Sequence, residues 1–256
     1  LQTQESGQGF GFLTSGSAGE LGPFHNAALV SRILNNQVTL PNPTGVDDRR
    51  CQADRLTEST AGWRIEMSNS LRGNCLVAAK SLRDPNFHKT VVLLLEHGEQ
   101  GATGLIVNRP SSIKVSHALS GQFADLPELE DVVFVGGPVE PAALLMLHNA
   151  DEYRDSDASP VPGLYIGGSA ESFEHVLLSC SGDGNDHPNF RIFSGYSGWG
   201  AGQLEGEIDR GDWLLHPGCC DLLFRADPYE VYDIVLQKVF EAKRLLPLDA
   251  KHARWN

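Results

Sequence analysis

The segment of this 256-residue sequence with the most chemical promise runs Gly195, Tyr196, Ser197, Gly198, Trp199, Gly200, Ala201, Gly202, Gln203, Leu204, Glu205. Glycines at that density let backbone N–H groups converge, and a helix entered near Gly202 would aim its free N–H groups at an anion. Gly198, Trp199 and Gln203 are its ligand-binding candidates. The plainer reading is a strand-to-helix corner, in which the glycines allow sharp turning and Trp199 plugs the core. The lysine of a GxxxxGKS/T phosphate loop is absent, which excludes ATP hydrolysis by that route. Tyr196 stands where a GxSxG elbow needs its serine, so no hydrolase nucleophile is predicted there.

A second glycine turn, Gly136, Gly137 and Pro138, follows a predicted buried strand, either as a tight turn or as backbone donors near a sheet end. His97, Asn108 and Arg109 are the best polar candidates, at the ends of successive strands that a hairpin would bring together. Arg109 has the paired N–H groups to clamp a carboxylate or phosphate, whereas Asn108 and Arg109 could equally satisfy backbone at a strand exit. His88, His97, His148 and His216 show no HxH, HxxxH or HExxH spacing, and no metal site is expected. The cysteines Cys51, Cys75, Cys180, Cys219 and Cys220 form no CxxC pair, and they read as reduced, mostly buried residues of a reducing cytosol. No catalytic residue and no cofactor is assigned.

These groups must be positioned by a mixed set of short elements. Strands are predicted over 74–80, 90–97, 102–108, 131–135, 144–148, 164–167, 190–196 and 212–215 from runs rich in β-branched and other apolar residues. A short helix is expected over Ser112–Leu119. A longer one is expected over Ser169–Ser179, with Ser169 as N-cap and Phe173, Val176 and Leu177 as its buried stripe. A third starts at Pro228, capped by Asp227, and runs to Leu245. Residues 1–69 are rich in Gly, Ser, Gln, Asn and Thr, and most of this extension is expected to be disordered, apart from a possible short helix over Asn26–Leu34. The organisation predicted is an extension over 1–69, a domain over 70–225 and a C-terminal helix over 226–256 packed on it.

The formal net charge is −13. Residues 70–225 hold 10 Lys and Arg against 21 Asp and Glu, a net of −11. Such a domain repels phosphate backbones, and no direct nucleic-acid binding is expected. The apolar runs fall far short of the ~20 residues that span a bilayer, and the first residues lack a signal-peptide pattern. A cytoplasmic protein without a membrane partner is expected.

The strings GNCLVAAKSLRDPNFHKTVVLLLEHGEQGATGLIVNRP, VFVGGPV, LMLH, FSGYSGWGAGQLEGEI and DWLLHP, in this order over residues 73–224, resemble the YqgE/AlgH family. The resemblance implies an α+β fold with a curved, barrel-like mixed sheet flanked by helices, and a bacterial, soluble protein. It implies no settled reaction. The AlgH name refers to an association with transcriptional regulation of alginate synthesis in one bacterial group. The long N-terminal extension and the C-terminal helix read as departures from the family pattern. A non-catalytic binding or regulatory protein is therefore expected, its partner an unknown protein or a small anionic ligand. The alternative is an enzyme with a polar site around His97, Asn108 and Arg109.

Overall fold

The computed structural model describes residues 70–123, 129–155, 159–180, 187–224 and 227–245. The extension over 1–69, with its expected disorder and its short Asn26–Leu34 helix, lies outside them. Among the described residues nine strands form one mixed sheet: β1 (Asn74–Ala78), β2 (Val91–Gly98), β3 (Gly101–Ile106), β4 (Pro110–Lys114), β5 (Val132–Val135), β6 (Val139–His148), β7 (Tyr165–Gly167), β8 (Phe190–Trp199) and β9 (Trp213–Pro217). Five α-helices accompany them among the described residues: α1 (Val115–Ala118), α2 (Ala170–Ser179), α3 (Gln203–Asp209), α4 (Cys220–Leu223) and α5 (Val231–Leu245). The fold is α+β, as the sequence indicates.

β8 organises the sheet. Its first half pairs with β6 antiparallel and with β5 in parallel, while its last residues pair with β3. From β3 the sheet continues through β2 and β1 to β9. The handover falls at Gly195, whose φ of +69° favours glycine and where a Cβ would stand 2.7 Å from the Gly137 carbonyl oxygen and 2.8 Å from that of Val139. The curvature expected is thus a bend in a shared strand. The sheet does not close, since β4, β7 and β9 each pair on one side only among the described residues.

The larger core collects the β1, β2 and β3 side chains with Leu204 of α3, Leu222 and Leu223 of α4, and Val231, Tyr232, Val235, Leu236 and Val239 of α5. The smaller one sets Phe173, Val176 and Leu177 of α2 against Leu144, Met146 and Ile192 of β6 and β8. Ser169 caps α2 as predicted, its Oγ accepting the Ser172 N–H at 3.0 Å.

Three local expectations are corrected. Of the helix expected over Ser112–Leu119 only Val115–Ala118 turns helical, and Ser112–Lys114 belongs to the edge strand Pro110–Lys114, whose first-residue proline has no N–H for the ladder. The strand predicted over 190–196 runs on through Trp199, so Ser197, Gly198 and Trp199 are strand rather than part of a corner. The last helix begins at Val231, because the Asp227 carboxylate accepts the Tyr229 N–H at 2.8 Å in a turn before the helix.

Candidate functional site

The β1–β2 connection, residues 79–90, is built from consecutive turns. Leu82 N–H donates to the Ala79 carbonyl and Phe87 N–H to that of Asp84, both at 3.0 Å, and the Asp84 side chain accepts the Asn86 N–H at 2.8 Å. Asp, Pro and Asn in sequence favour such a chain of turns. The connection is then pinned from three sides.

On one side stand Asn108 and Arg109, just past β3. Asn108 accepts the Val91 N–H at 2.8 Å and donates to the Lys89 carbonyl at 3.0 Å. Arg109 donates through Nη1 to the Asn86 carbonyl at 2.7 Å and reaches that of His88 at 3.5 Å. Lys89, between these contacts, has a φ of +52°, a left-handed conformation uncommon for a residue with a Cβ.

Beneath it lies an aromatic plug. Phe87 stacks on Trp199 at 6.0 Å between ring centroids and meets Trp213 edge-on at 5.3 Å, while the two indoles meet at 6.0 Å. Glu207 of α3 holds both indoles: its Oε2 accepts Trp199 Nε1–H at 2.9 Å and Trp213 Nε1–H at 2.8 Å. Gln203 donates to Glu207 Oε1 at 3.0 Å and accepts the Gly200 N–H at 3.1 Å. Burial works to raise the Glu207 pKa, but the bonds from Trp213, Gln203 and Trp199, with Arg210 nearby, outweigh it and hold the carboxyl below its ordinary range. On the third side Ala79 N–H donates to the Asp212 carbonyl at 2.9 Å.

The result is a fixed turret on which basic side chains outnumber the single carboxylate. Lys80, Arg83, His88 and Lys89 are exposed, and Lys80, Arg83 and Lys89 have no ion pair among the described residues. Asp84 is the one acidic residue of the connection, and its carboxylate is engaged by the backbone.

The candidates thus divide. Asn108, Arg109 and Trp199 touch this connection, and Gln203 reaches it only through Glu207 and the indole that Glu207 holds. His97 does not join Asn108 and Arg109: in the β2–β3 hairpin Val92 faces Ile106 at one end and His97 faces Ala102 at the other. At about 3.3 Å per residue, His97 stands ~20 Å along β2 from the strand end that Asn108 binds. The His97 ring accepts the Leu71 N–H at Nδ1, 3.0 Å away, so Nε2 carries the hydrogen, and Nε2 lies 3.0 Å from Glu205 without the alignment of a hydrogen bond.

Gly136 and Gly137 are packed rather than open. A Cβ on Gly136 would meet the Gly195 carbonyl oxygen at 2.3 Å, and one on Gly137 the Tyr196 carbonyl carbon at 2.2 Å. Gly136 N–H is spent on the Ser194 carbonyl at 2.9 Å. Gly198 pairs with Thr103 within the sheet. A groove of about 530 Å³ lies elsewhere, between Val132 and Phe134 of β5 and Phe190 and Arg191 of β8. Arg191 stacks 4.5 Å over Phe134 and donates to the Val107 carbonyl at 2.9 Å, and burial pulls its pKa to about 10. None of the eight candidates lines this groove. Among the described residues no three His, Cys, Asp or Glu side chains gather as metal ligands, and no helix is long and apolar enough to cross a membrane.

Phe87, Trp213 and Glu207 were not among the candidates. The turn-forming string RDPNFHK, with basic residues on both sides of Asp-Pro-Asn, held the available signal.

In this bent mixed sheet Asn108 and Arg109 hold the backbone of the 79–90 connection, and Gln203 and Glu207 hold the indoles beneath it. The chain belongs to the AlgH-like family, whose model matches residues 75–242. It is 35% identical over 158 residues to a UPF0301 protein of Chlorobaculum tepidum, covering 62% of this chain and 80% of that one. A UPF0301 protein of Myxococcus xanthus is 34% identical, with 66% and 90% covered. The solution structure of the AlgH protein from Pseudomonas aeruginosa superposes with a TM-score of 0.55 at 31% identity, covering 68% of this chain and 90% of that chain. A crystal structure from Corynebacterium diphtheriae, 23% identical with a TM-score of 0.52 and coverage of 65% and 85%, shares the fold. The family match contains α5 up to residue 242, so this helix is no departure from the pattern, contrary to the sequence reading.

Proposed function

We propose that this protein is a non-catalytic binding protein that docks an acidic segment of a partner protein on the 79–90 connection. The observation carrying this reading is the pinned turret itself: Lys80, Arg83 and Lys89 stand exposed and free of ion pairs on a backbone fixed by Asn108, Arg109 and the Phe87 plug. Cations held on a rigid loop lose little freedom on binding, which lowers the cost of association. The left-handed Lys89 fits this reading, since strained backbone concentrates where a surface must keep one shape.

A compact anionic segment suits the patch better than nucleic acid, because a long polyanion would also face a domain with 21 acidic residues against 10 basic ones over 70–225. Any effect on transcription then runs through a bound protein, without direct DNA contact. A cytoplasmic location accompanies this reading, supported by free thiols at Cys75, Cys180, Cys219 and Cys220.

The test is an anisotropy titration with a fluorescein-labelled hexaglutamate peptide at low salt. The wild type should bind saturably, and the triple variant K80E/R83E/K89E should bind more than about tenfold more weakly. Lys238→Glu, on α5, should bind like wild type. Absence of saturable binding, or equal losses in the triple variant and the Lys238 control, would overturn the proposal.

A further inference from the structure

A second observation lies far from the turret in sequence, at the corner where β6 ends. His148 is wholly buried, and among the described residues neither of its ring nitrogens has a well-aligned hydrogen-bond partner. It pairs with Tyr165 of β7 and Phe190 of β8 across the sheet, and its ring lies 5.9 Å from that of Tyr165. The Ala150 carbonyl faces it without hydrogen-bond alignment. Imidazole normally satisfies both nitrogens when buried, so this one is held at a cost.

The charged groups around it are unequal. Glu152, in the 3-10 turn Asp151–Tyr153, and Asp155 just after it are the carboxylates that favour a charged ring. Arg154 lies 6.0 Å over the far partner, the Tyr165 ring. From α2, Ser172 donates to the Tyr153 carbonyl and His175 lies 5.6 Å from the Tyr153 ring. Burial outweighs the carboxylates and keeps the ring neutral below its ordinary pKa. Asp155 meanwhile closes the start of α2, accepting Gly168 N–H at 2.8 Å, Ser169 N–H at 3.1 Å and Ser169 Oγ–H at 2.7 Å.

We propose that His148 makes the β6–β7–α2 corner acid-sensitive: proton uptake by its ring draws the Asp155 carboxylate away from the α2 start and opens that corner while the main core stays folded. The direction follows from linkage. In the opened corner the ring is hydrated and titrates near 6.5, and in the closed corner it titrates lower, so the closed state binds fewer protons. Closure is therefore at full strength above 6.5 and weakens as pH falls below it, until the ring is charged in both states. Within that window the opening constant rises up to about tenfold per pH unit.

The experiment is amide hydrogen exchange on the full chain between about pH 7.5 and 5.0, corrected for intrinsic exchange, together with an NMR titration of the His148 ring. Protection over Tyr165–Ser179 should fall with pH while that of β1 and β2 holds, and the ring should titrate with a midpoint below 6.5 that the Tyr165–Ser179 amides share. His148→Gln should abolish the pH dependence, and His175→Gln should keep it. Corner protection independent of pH, a His148 midpoint at or above 6.5, or loss of the response in His175→Gln would each overturn the proposal. The wild-type titration stands even where His148→Gln fails to fold.

Discussion

One carboxylate oxygen of Glu207 receives two indole N–H groups, and this explains why Trp199 serves the fold. With 6% of its surface exposed, Trp199 packs against both Phe87 and Trp213. Trp199→Ala should cost about 3–5 kcal/mol, read as a lowered urea midpoint; a midpoint unchanged within error would reject the structural role. Glu207 supplies a pH dependence. Its depressed carboxyl contributes stability that is present above its unfolded pKa and lost as pH falls through the lower folded value. Urea midpoints measured from neutral pH into that acid range should fall less steeply in Glu207→Gln than in wild type. Cys75, fully buried and pushed up to about 12, should resist iodoacetamide at pH 8 in the native protein and react on unfolding, as peptide mapping would show. Trp199 as a core plug was legible from an indole set among glycines. Its partners were not, because contacts between residues 87, 199 and 213 depend on three distant stretches meeting over one sheet face.

At the scale of elements, β8 is where local reading and tertiary structure diverge most. Glycine density signals a loop, yet from Phe193 to Trp199 burial alternates residue by residue, the period-two pattern of a strand, with Gly195 at a crowded position and Gly198 on the open side. What the segment needs glycine for is the bend at Gly195. Gly195→Ala should therefore destabilise by about 1–3 kcal/mol through strain alone, and by more if the Gly137 and Val139 carbonyls cannot retreat. A melting temperature equal to wild type would contradict the bend. Helix α2 was readable in full because its cap, stripe and end are local signals. Strand β4 was not, because Ser112–Leu119 has acceptable helical spacing and only pairing with β5 selects the extended form. The distance between His97 and Asn108 was likewise hidden, since hairpin register, not strand order, sets which ends meet.

For the whole molecule, charge is the level most legible from sequence and the basic turret its local exception. A domain of this balance should bind random duplex DNA no better than an acidic control at 150 mM salt, and low-micromolar, salt-sensitive anisotropy changes would contradict that. The family relationship was carried by several strings in fixed order, whereas the turret emerged only once Asn108, Arg109 and the Phe87 plug were seen to fix it. The central claim is that this connection is the binding surface. It is tested most directly by mapping amide chemical shifts of the full chain as hexaglutamate is added. The shifts should concentrate on residues 79–90 and Arg109 and recede as salt screens the contact. Shifts centred instead on Phe190 and Arg191 in the groove, or spread without saturation over the surface, would contradict the account.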